Sequence, residues 1–144
     1  MQTQVINDTG AEVVYGNFTN VAGQTITTGH AVAFTTTAAS VDGNAAVAPA
    51  AGNLFTFAGI ADADVADTES GRYVGYGYAQ SVYVFATGTS VTVGAGVVMG
   101  PGAGSTGVNS TGNLDTFGPV VALEAVGAAV NSPGGYAKGF VRAL

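Results

Sequence analysis

The hexapeptide Gly52–Phe57 reads GNLFTF, and Gly112–Phe117, sixty positions later, reads GNLDTF. Five of the six residues are identical and stand in the same order. Two copies at a spacing near 60 are too few and too far apart for a solenoid of short structural repeats. The pair instead indicates one domain in which a similar unit occurs twice.

Similar segments flank both hexapeptides. Upstream, Ile26–Phe34 reads ITTGHAVAF and Val91–Met99 reads VTVGAGVVM, so the glycine and apolar positions correspond. Downstream, Gly75, Tyr76 and Ala79 correspond to Gly139, Phe140 and Ala143. We therefore expect two pseudo-repeated halves, residues 26–80 and 91–143, related by an approximate two-fold axis. Residues 1–10 lie outside the repeat and are mostly polar, so we expect an extended N-terminal arm that orders by adding to a neighbouring chain.

The composition favours strands over helices, because glycine, threonine and valine are abundant. Strands or strand pairs are predicted at residues 12–22, 26–36, 54–61, 72–86, 90–100, 117–126 and 135–143. Turn-rich clusters such as Asp42–Asn44 and Gly100–Gly102 separate them. Residues 122–126 (ALEAV) resemble a helix but are too short to form one alone, so they are interpreted as strand. The regular spacing predicts an all-β chain, folded as a single-domain antiparallel sandwich or barrel.

Charge is scarce in this sequence. The 144 residues include 8% charged side chains and no cysteine, and the net charge is −6 with three cations. So few cations exclude the phosphate neutralisation that nucleic-acid binding requires. No apolar stretch approaches the length of a membrane span, and the first residues lack the features of a signal peptide. A nearly uncharged surface suits a protein packed against neighbours, although a weakly charged monomer is the other reading.

Two strands carry informative alternation. Val82 and Val84 point to one face of their strand, and Tyr83 and Phe85 point to the other, so both faces must be covered. The last strand places its small residues on one face, namely Gly135, Ala137, Gly139, Val141 and Ala143. Its other face carries Tyr136, Lys138, Phe140, Arg142 and Leu144. Aromatic and cationic residues of this kind are enriched in interface cores, so we expect an interface there, with a solvent-facing rim strand as the alternative.

Catalytic patterns are weak. His30 is the only histidine, and the second copy has Ala95 at that position, so a nucleophile–base pair is not indicated. The stretch Gly102–Gly107 fits a dinucleotide-binding pattern, but a turn-rich run follows where a helix is needed. Four acids lie within residues 62–69, and they could bind Ca²⁺ or form a solvated loop. We therefore expect no enzyme activity and no cofactor.

The order of the motifs resembles the small capsid cement, or head decoration, proteins of tailed bacteriophages. The resemblance covers residues 20–144 and rests on patterns of glycine and small apolar residues. These are Gly29–Val32 (GHAV), Gly59–Ala61 (GIA), Gly75–Tyr78 (GYGY), Thr87–Met99 (TGTSVTVGAGVVM), Pro119–Ala125 (PVVALEA) and Tyr136–Leu144. Pro119 departs from the glycine expected near that position and predicts an edge strand or a bulge.

This resemblance implies a structural virion protein on the capsid exterior. Such proteins bind the outside of an icosahedral shell, commonly as homotrimers, and stabilise contacts between major capsid proteins. The expected partners are therefore the major capsid protein and other copies of this chain, with no nucleic acid and no membrane. The interface residues expected on this basis and from the alternation above are Tyr76, Tyr78, Tyr136, Lys138, Phe140 and Arg142.

An adhesive or carbohydrate-binding β module, such as a fibre head, is the alternative function. Tyr73, Tyr76, Tyr78 and Tyr83 lie close together in the sequence and could stack on sugar rings. The two functions differ in whether these tyrosines line a groove or a subunit contact.

Overall fold

A computed structural model describes residues 12–35, 43–48, 56–85, 96–99, 108–109, 120–125 and 134–143. Within these ranges the chain is all-β, as predicted, and contains no α-helix. The nine strands are β1 (Val14–Asn20), β2 (Ala31–Phe34), β3 (Ala45–Val47), β4 (Phe57–Ala61), β5 (Ser70–Phe85), β6 (Gly96–Met99), β7 (Val108–Asn109), β8 (Val120–Ala122) and β9 (Gly134–Arg142).

The strand pairing closes into two rings that share β5. The first ring runs β1-β3-β2-β4-β5 and returns to β1, and the second runs β5-β7-β6-β8-β9 and returns to β5. Tyr76 lies where the rings join, because it pairs with Val14 of β1 on one side and Arg142 of β9 on the other. Each closed ring leaves none of its described strands as an open edge, which removes the usual site of uncontrolled strand addition.

The sheet is mixed, whereas the sequence predicted antiparallel pairing throughout. The pairs β1–β3 and β5–β7 are parallel, and the other pairs are antiparallel. In the first ring the short strand β3 lies between β1 and β2, and in the second ring β7 lies between β5 and β6. Each of these short strands thus pairs with two strands that precede it in the chain. Neither short strand was predicted: β3 is Ala-Ala-Val, and β7 has only two residues in a glycine-rich stretch.

The order of pairings is the same in the two rings, but the first ring begins at β1, before the predicted repeat start at residue 26. Phe57, which the repeated hexapeptide predicts at a buried position equivalent to that of Phe117, is half-buried. Its proposed equivalent Phe117 lies outside the described residues, as do Pro119 and the predicted arm at residues 1–10. The equivalence of the two halves and the arm therefore stay predictions.

Two apolar clusters fill the structure. One lies inside the first ring and contains Phe18, Ile26, Val32, Ala46, Ala58, Ala61 and Val65. The other extends across β5 into the second ring and contains Ala31, Ile60, Val74, Ala79, Val82, Val84, Val120, Ala122, Ala137 and Val141. Most members are alanine or valine, so the sheets must approach closely. A side chain on Gly139, for example, would lie 2.8 Å from a methyl group of Val82.

A β-bulge interrupts β5 between Ala79 and Val82. Ala79 and Val82 are both buried although they are three residues apart, so the inward parity changes from odd to even at the bulge. Tyr76 and Tyr78 before the bulge therefore share the outer face with Tyr83 after it. This change of parity positions the candidate site.

Candidate protein-docking surface

The alternation predicted for the last strand is present in β9. Ala137, Gly139 and Val141 are buried, whereas Tyr136 and Arg142 are exposed and Lys138 and Phe140 are half-buried. The small residues pack inward, and the large ones form an outer surface that is both aromatic and cationic.

Pairing between β5 and β9 brings the six predicted interface residues together. Tyr78 lies opposite Phe140, and Tyr76 lies opposite Arg142. The rings of Tyr76 and Phe140 meet edge to face, with centroids 5.3 Å apart. Lys138 lies opposite the bulge of β5, and its ammonium is close enough to Tyr78 for an electrostatic interaction.

The bulge adds Tyr83 to the same surface. Tyr83 pairs with Tyr136, and their rings meet at 63° with centroids 5.3 Å apart. His30 then stacks on Tyr83, with centroids 4.6 Å apart and planes 15° apart. The sequence predicted that this face of β5 must be covered. Over Tyr83, the loop residue His30 and Tyr136 of β9 provide that cover. We call this surface the belt: His30, Tyr76, Tyr78, Tyr83, Tyr136, Lys138, Phe140 and Arg142.

Sequence reasoning did not place His30 in the site, because it weighed that residue only as a catalytic base. Its position depends on the preceding Gly29, whose φ of +82° lets the backbone turn against β5. The carbonyl of Gly29 accepts a hydrogen bond from the amide of Tyr83 at 2.8 Å. That bond ties the loop of the first ring to the part of β5 that belongs to the second.

Burial sets the protonation of His30. Loss of water around the half-buried ring lowers the pKa of His30, and the nearby carboxylate of Asp64 partly opposes this. Asp64 itself accepts hydrogen bonds from the amide and hydroxyl of Thr28, both at 2.7 Å, and these bonds lower the pKa of Asp64. His30 is therefore neutral at pH 7 and serves the belt as a flat aromatic ring.

Two of the three cations of the chain are already paired. The ammonium of Lys138 lies 2.8 Å from a carboxylate oxygen of Glu124, and hydrogen bonding between them raises the pKa of Lys138 and lowers that of Glu124. The guanidinium of Arg72 pairs with Asp62 and lies over the ring of Tyr15. Arg142 has no ion pair within the described part of the chain.

The acidic segment 62–69 forms the turn between β4 and β5, here called the acidic turn. Asp64 holds Thr28, and Asp67 accepts a hydrogen bond from the amide of Gly23 at 2.9 Å. The carboxylates thus fasten the turn to the loop between β1 and β2. Among the described residues no three acidic or histidine side chains converge on a point where a metal ion could bind.

The four tyrosines of the carbohydrate alternative do not form one platform. Tyr73 is half-buried in the first ring, where it packs against Phe18 and Phe34. Tyr78 lines a groove of about 390 Å³ beside the bulge, and Tyr73 lines a different groove of about 560 Å³. Tyr76, Tyr78 and Tyr83 belong to the belt, and His30 covers Tyr83.

No protein-family model matches the sequence, and no curated protein matches it either. Across the ranges that the structure describes, no helix has the length and apolar character needed to cross a membrane. Function must therefore be argued from the belt.

Proposed function

We propose that this protein is a capsid decoration protein, which binds the outer surface of an icosahedral shell and stabilises contacts between major capsid proteins. The belt is the observation that carries the proposal. It places two exposed tyrosines, Tyr76 and Tyr136, on one strand pair with Arg142, which has no ion pair among the described residues. Tyrosine and arginine are the residues that most often dominate the binding energy of protein interfaces.

The shape of the belt supports a protein partner rather than a small ligand. Its rings lie edge to face along a strand pair, and the six-residue step from Arg142 to Tyr136 on β9 spans about 20 Å at the usual rise per strand residue. A surface of this length suits another folded protein. The weak charge of the whole chain agrees with a protein that works within an assembly.

The mechanism that we propose is mechanical. A subunit held by several weak contacts on neighbouring capsid proteins resists their separation, because all contacts must break together. No covalent step is required of any residue, so we propose that the protein is not an enzyme. The carbohydrate-binding alternative has less support, because Tyr73 packs in the first ring, away from the other three tyrosines, and His30 covers the ring of Tyr83.

Co-sedimentation with undecorated shells tests the proposal. We expect Phe140→Ala and Tyr136→Ala to remain folded and to bind shells at least about tenfold more weakly, as truncation of a central aromatic contact commonly does. Val21→Ala is the matched control, because Val21 is also an exposed apolar residue, at 45% exposure, but lies off the belt. Full shell occupancy by both belt variants, or no binding by the unmodified protein, would contradict the proposal.

A further inference from the structure

A stretch of β5 between the two rings lacks a neighbouring strand on one side. Tyr76 pairs with β1 on that side and Val84 pairs with β7 there, while β9 covers the opposite side at both positions. Between these two residues no described strand pairs with β5 on the first side. Each ring is closed by its own strands, but this stretch lies between the rings. We call its central part, residues 78–82, the window.

Backbone from the first ring bounds both ends of the window. At one end, Glu12 and Val13 pack against Gly77, because an added Cβ there would overlap the Glu12 carbonyl oxygen and lie 2.9 Å from the Cα of Val13. Neither Glu12 nor Val13 pairs with β5. At the other end, the amide of Tyr83 donates to the carbonyl of Gly29 at 2.8 Å. The described chain therefore frames the window at residues 77 and 83.

The alternation of an antiparallel pair directs the backbone of Tyr78 and Gln80 into the window. The amide of Ala143 on the β9 side donates to the carbonyl of Gly75 at 2.8 Å. Odd-numbered residues of β5 therefore exchange hydrogen bonds with β9 from Gly75 up to the bulge. The amide and carbonyl groups of the even-numbered Tyr78 and Gln80 point away from β9.

The residue opposite the bulge does not supply partners for Gln80 either. Lys138 of β9 holds that position. Its carbonyl accepts a hydrogen bond from the amide of Leu123 at 2.8 Å, and its amide donates to a carboxylate oxygen of Glu124 at 3.2 Å. Both backbone groups of Lys138 thus bond on the β8 side. An unpaired strand edge of this kind is a site at which an extended peptide can add to a sheet.

The groove of about 390 Å³ beside the bulge lies along the window, and residues 78–81 belong to its lining. The buried residues Ile60, Val74 and Ala79 give the groove an apolar floor. The charged residue of the lining is Asp62, and the whole chain has a net charge of −6. An apolar side chain therefore fits the groove, and a cationic segment is favoured over an acidic one.

We infer that the window binds an extended segment of a partner protein, which adds to β5 as a strand. The amide and carbonyl groups of Tyr78 and Gln80 bond to the backbone of the segment, and a β-branched apolar side chain enters the groove. Such a segment carries apolar residues at every second position, because side chains alternate along a strand. The belt adjoins the window at Tyr78, but the inference does not require the partner to be a capsid shell.

Hydrogen exchange of the free protein, followed by NMR without shells, is the first test. We expect the amides of Tyr78 and Gln80 to exchange at least about tenfold faster than those of Gly77 and Ala79, which face β9. Slow exchange at Tyr78 and Gln80 would show that another part of the chain already covers the window, and it would overturn the inference.

A blocked peptide, acetyl-Lys-Thr-Val-Thr-Val-Thr-amide, is the probe for binding. The same peptide with both valines replaced by serine is its control. At saturation we expect the valine peptide to slow exchange of the Tyr78 and Gln80 amides by at least about tenfold, and the serine peptide to have a smaller effect. Absence of protection, or equal protection by both peptides, would contradict the proposed strand addition.

Two substitutions of Gln80 separate its backbone from its side chain. The hydroxyl of Tyr78 donates to the side-chain oxygen of Gln80 at 3.1 Å, and Gln80→Ala and Gln80→Pro both remove this bond. Gln80→Pro also removes the amide, and proline is tolerated where a strand amide faces outward at an edge or a bulge. We expect both variants to fold and Gln80→Pro alone to weaken binding of the valine peptide, by at least about tenfold. Similar peptide binding by the two variants, or unfolding of Gln80→Pro alone, would show that the amide does not serve a partner.

Discussion

The imidazole of His30 stacks on the phenol ring of Tyr83 with centroids 4.6 Å apart, although the two residues belong to different rings of the fold. His30 precedes the second strand of the first ring, and Tyr83 lies on the part of β5 that completes the second. This contact, with the hydrogen bond from Tyr83 to Gly29, joins the two rings at the belt.

Acidification should weaken this junction. The pKa of His30 is lowered in the folded protein, mainly because burial disfavours the imidazolium, while Asp64 opposes the shift. The unfolded chain then binds more protons, so stability is full above the ordinary histidine pKa of 6.5 and falls as the pH drops from there through the folded pKa. The charged or titratable groups that face His30 are Asp64, Tyr83 and Tyr136.

Urea unfolding between pH 7.5 and pH 5 measures this effect. We expect the free energy of unfolding to decrease across that range in the unmodified protein and to change less in His30→Gln, which cannot titrate. An unmodified protein whose stability rises on acidification would show that attraction to Asp64 outweighs burial.

Replacement of Asn20 should be among the most damaging single changes on β1. The Asn20 side chain is fully buried, donates to two carbonyls and accepts a hydrogen bond from the amide of Ala22 at 2.9 Å. Asn20→Ala removes these three hydrogen bonds, and of the three backbone groups only the Val65 carbonyl keeps another described partner, the amide of Ile26. We expect a loss of about 2–4 kcal/mol in the free energy of unfolding. Asn17→Ala, at an exposed position of the same strand, should change it by less than about 0.5 kcal/mol. Chemical denaturation of both variants decides the point, and equal effects would contradict it.

Gly77 should tolerate no side chain. Its φ is +104°, and an added Cβ would overlap the carbonyl oxygen of Glu12 and lie 2.9 Å from the Cα of Val13. We expect Gly77→Ala to destabilise the protein by about 3 kcal/mol or more, from backbone strain and steric overlap together.

Gly23→Ala separates these two causes. Gly23 also has a positive φ, +72°, but nothing lies within 4 Å of its added Cβ. The stability lost in Gly23→Ala should therefore come from backbone strain alone, at about 1 kcal/mol. Melting temperatures of the two alanine variants give the comparison, and similar losses would argue that the close approach of β1 to Gly77 has little effect.

Thr68 in the acidic turn should carry strain that a substitution can relieve. Its φ is +68°, and among the described residues it is the one residue other than glycine with a positive φ. Its amide donates a hydrogen bond to the carbonyl of Asn20 at 2.8 Å. A β-branched residue is disfavoured there, whereas asparagine adopts this conformation more readily. We expect Thr68→Asn to stabilise the fold by about 0.5–1 kcal/mol. Thr27→Asn, an exposed position in the facing loop, is the control, and a gain there of the same size would remove the explanation.

The all-β class was predictable from sequence, as was the inward and outward alternation of β9. The class followed from the abundance of glycine, threonine and valine and the regular spacing of turns, and the alternation followed from the two-residue period of a strand. Each segment carries these signals within itself. The mixed pairing was not predictable, because strand order depends on contacts between residues distant in the chain. The short strands β3 and β7 were missed for a related reason: Ala45–Val47 and Val108–Asn109 have little strand propensity of their own and are held by the strands on either side.

Sequence alone determined which residues of β9 face outward and that the chain has only three cations to place. Tertiary structure alone decided that the bulge in β5 turns Tyr83 to the same side as Tyr76 and Tyr78 and that His30 covers Tyr83. It also decided that Arg142 forms no ion pair with the rest of the described chain. The physical reason is that alternation is a local property of extended backbone, whereas a bulge and an ion pair depend on the register between strands, which the packing of the whole sheet sets.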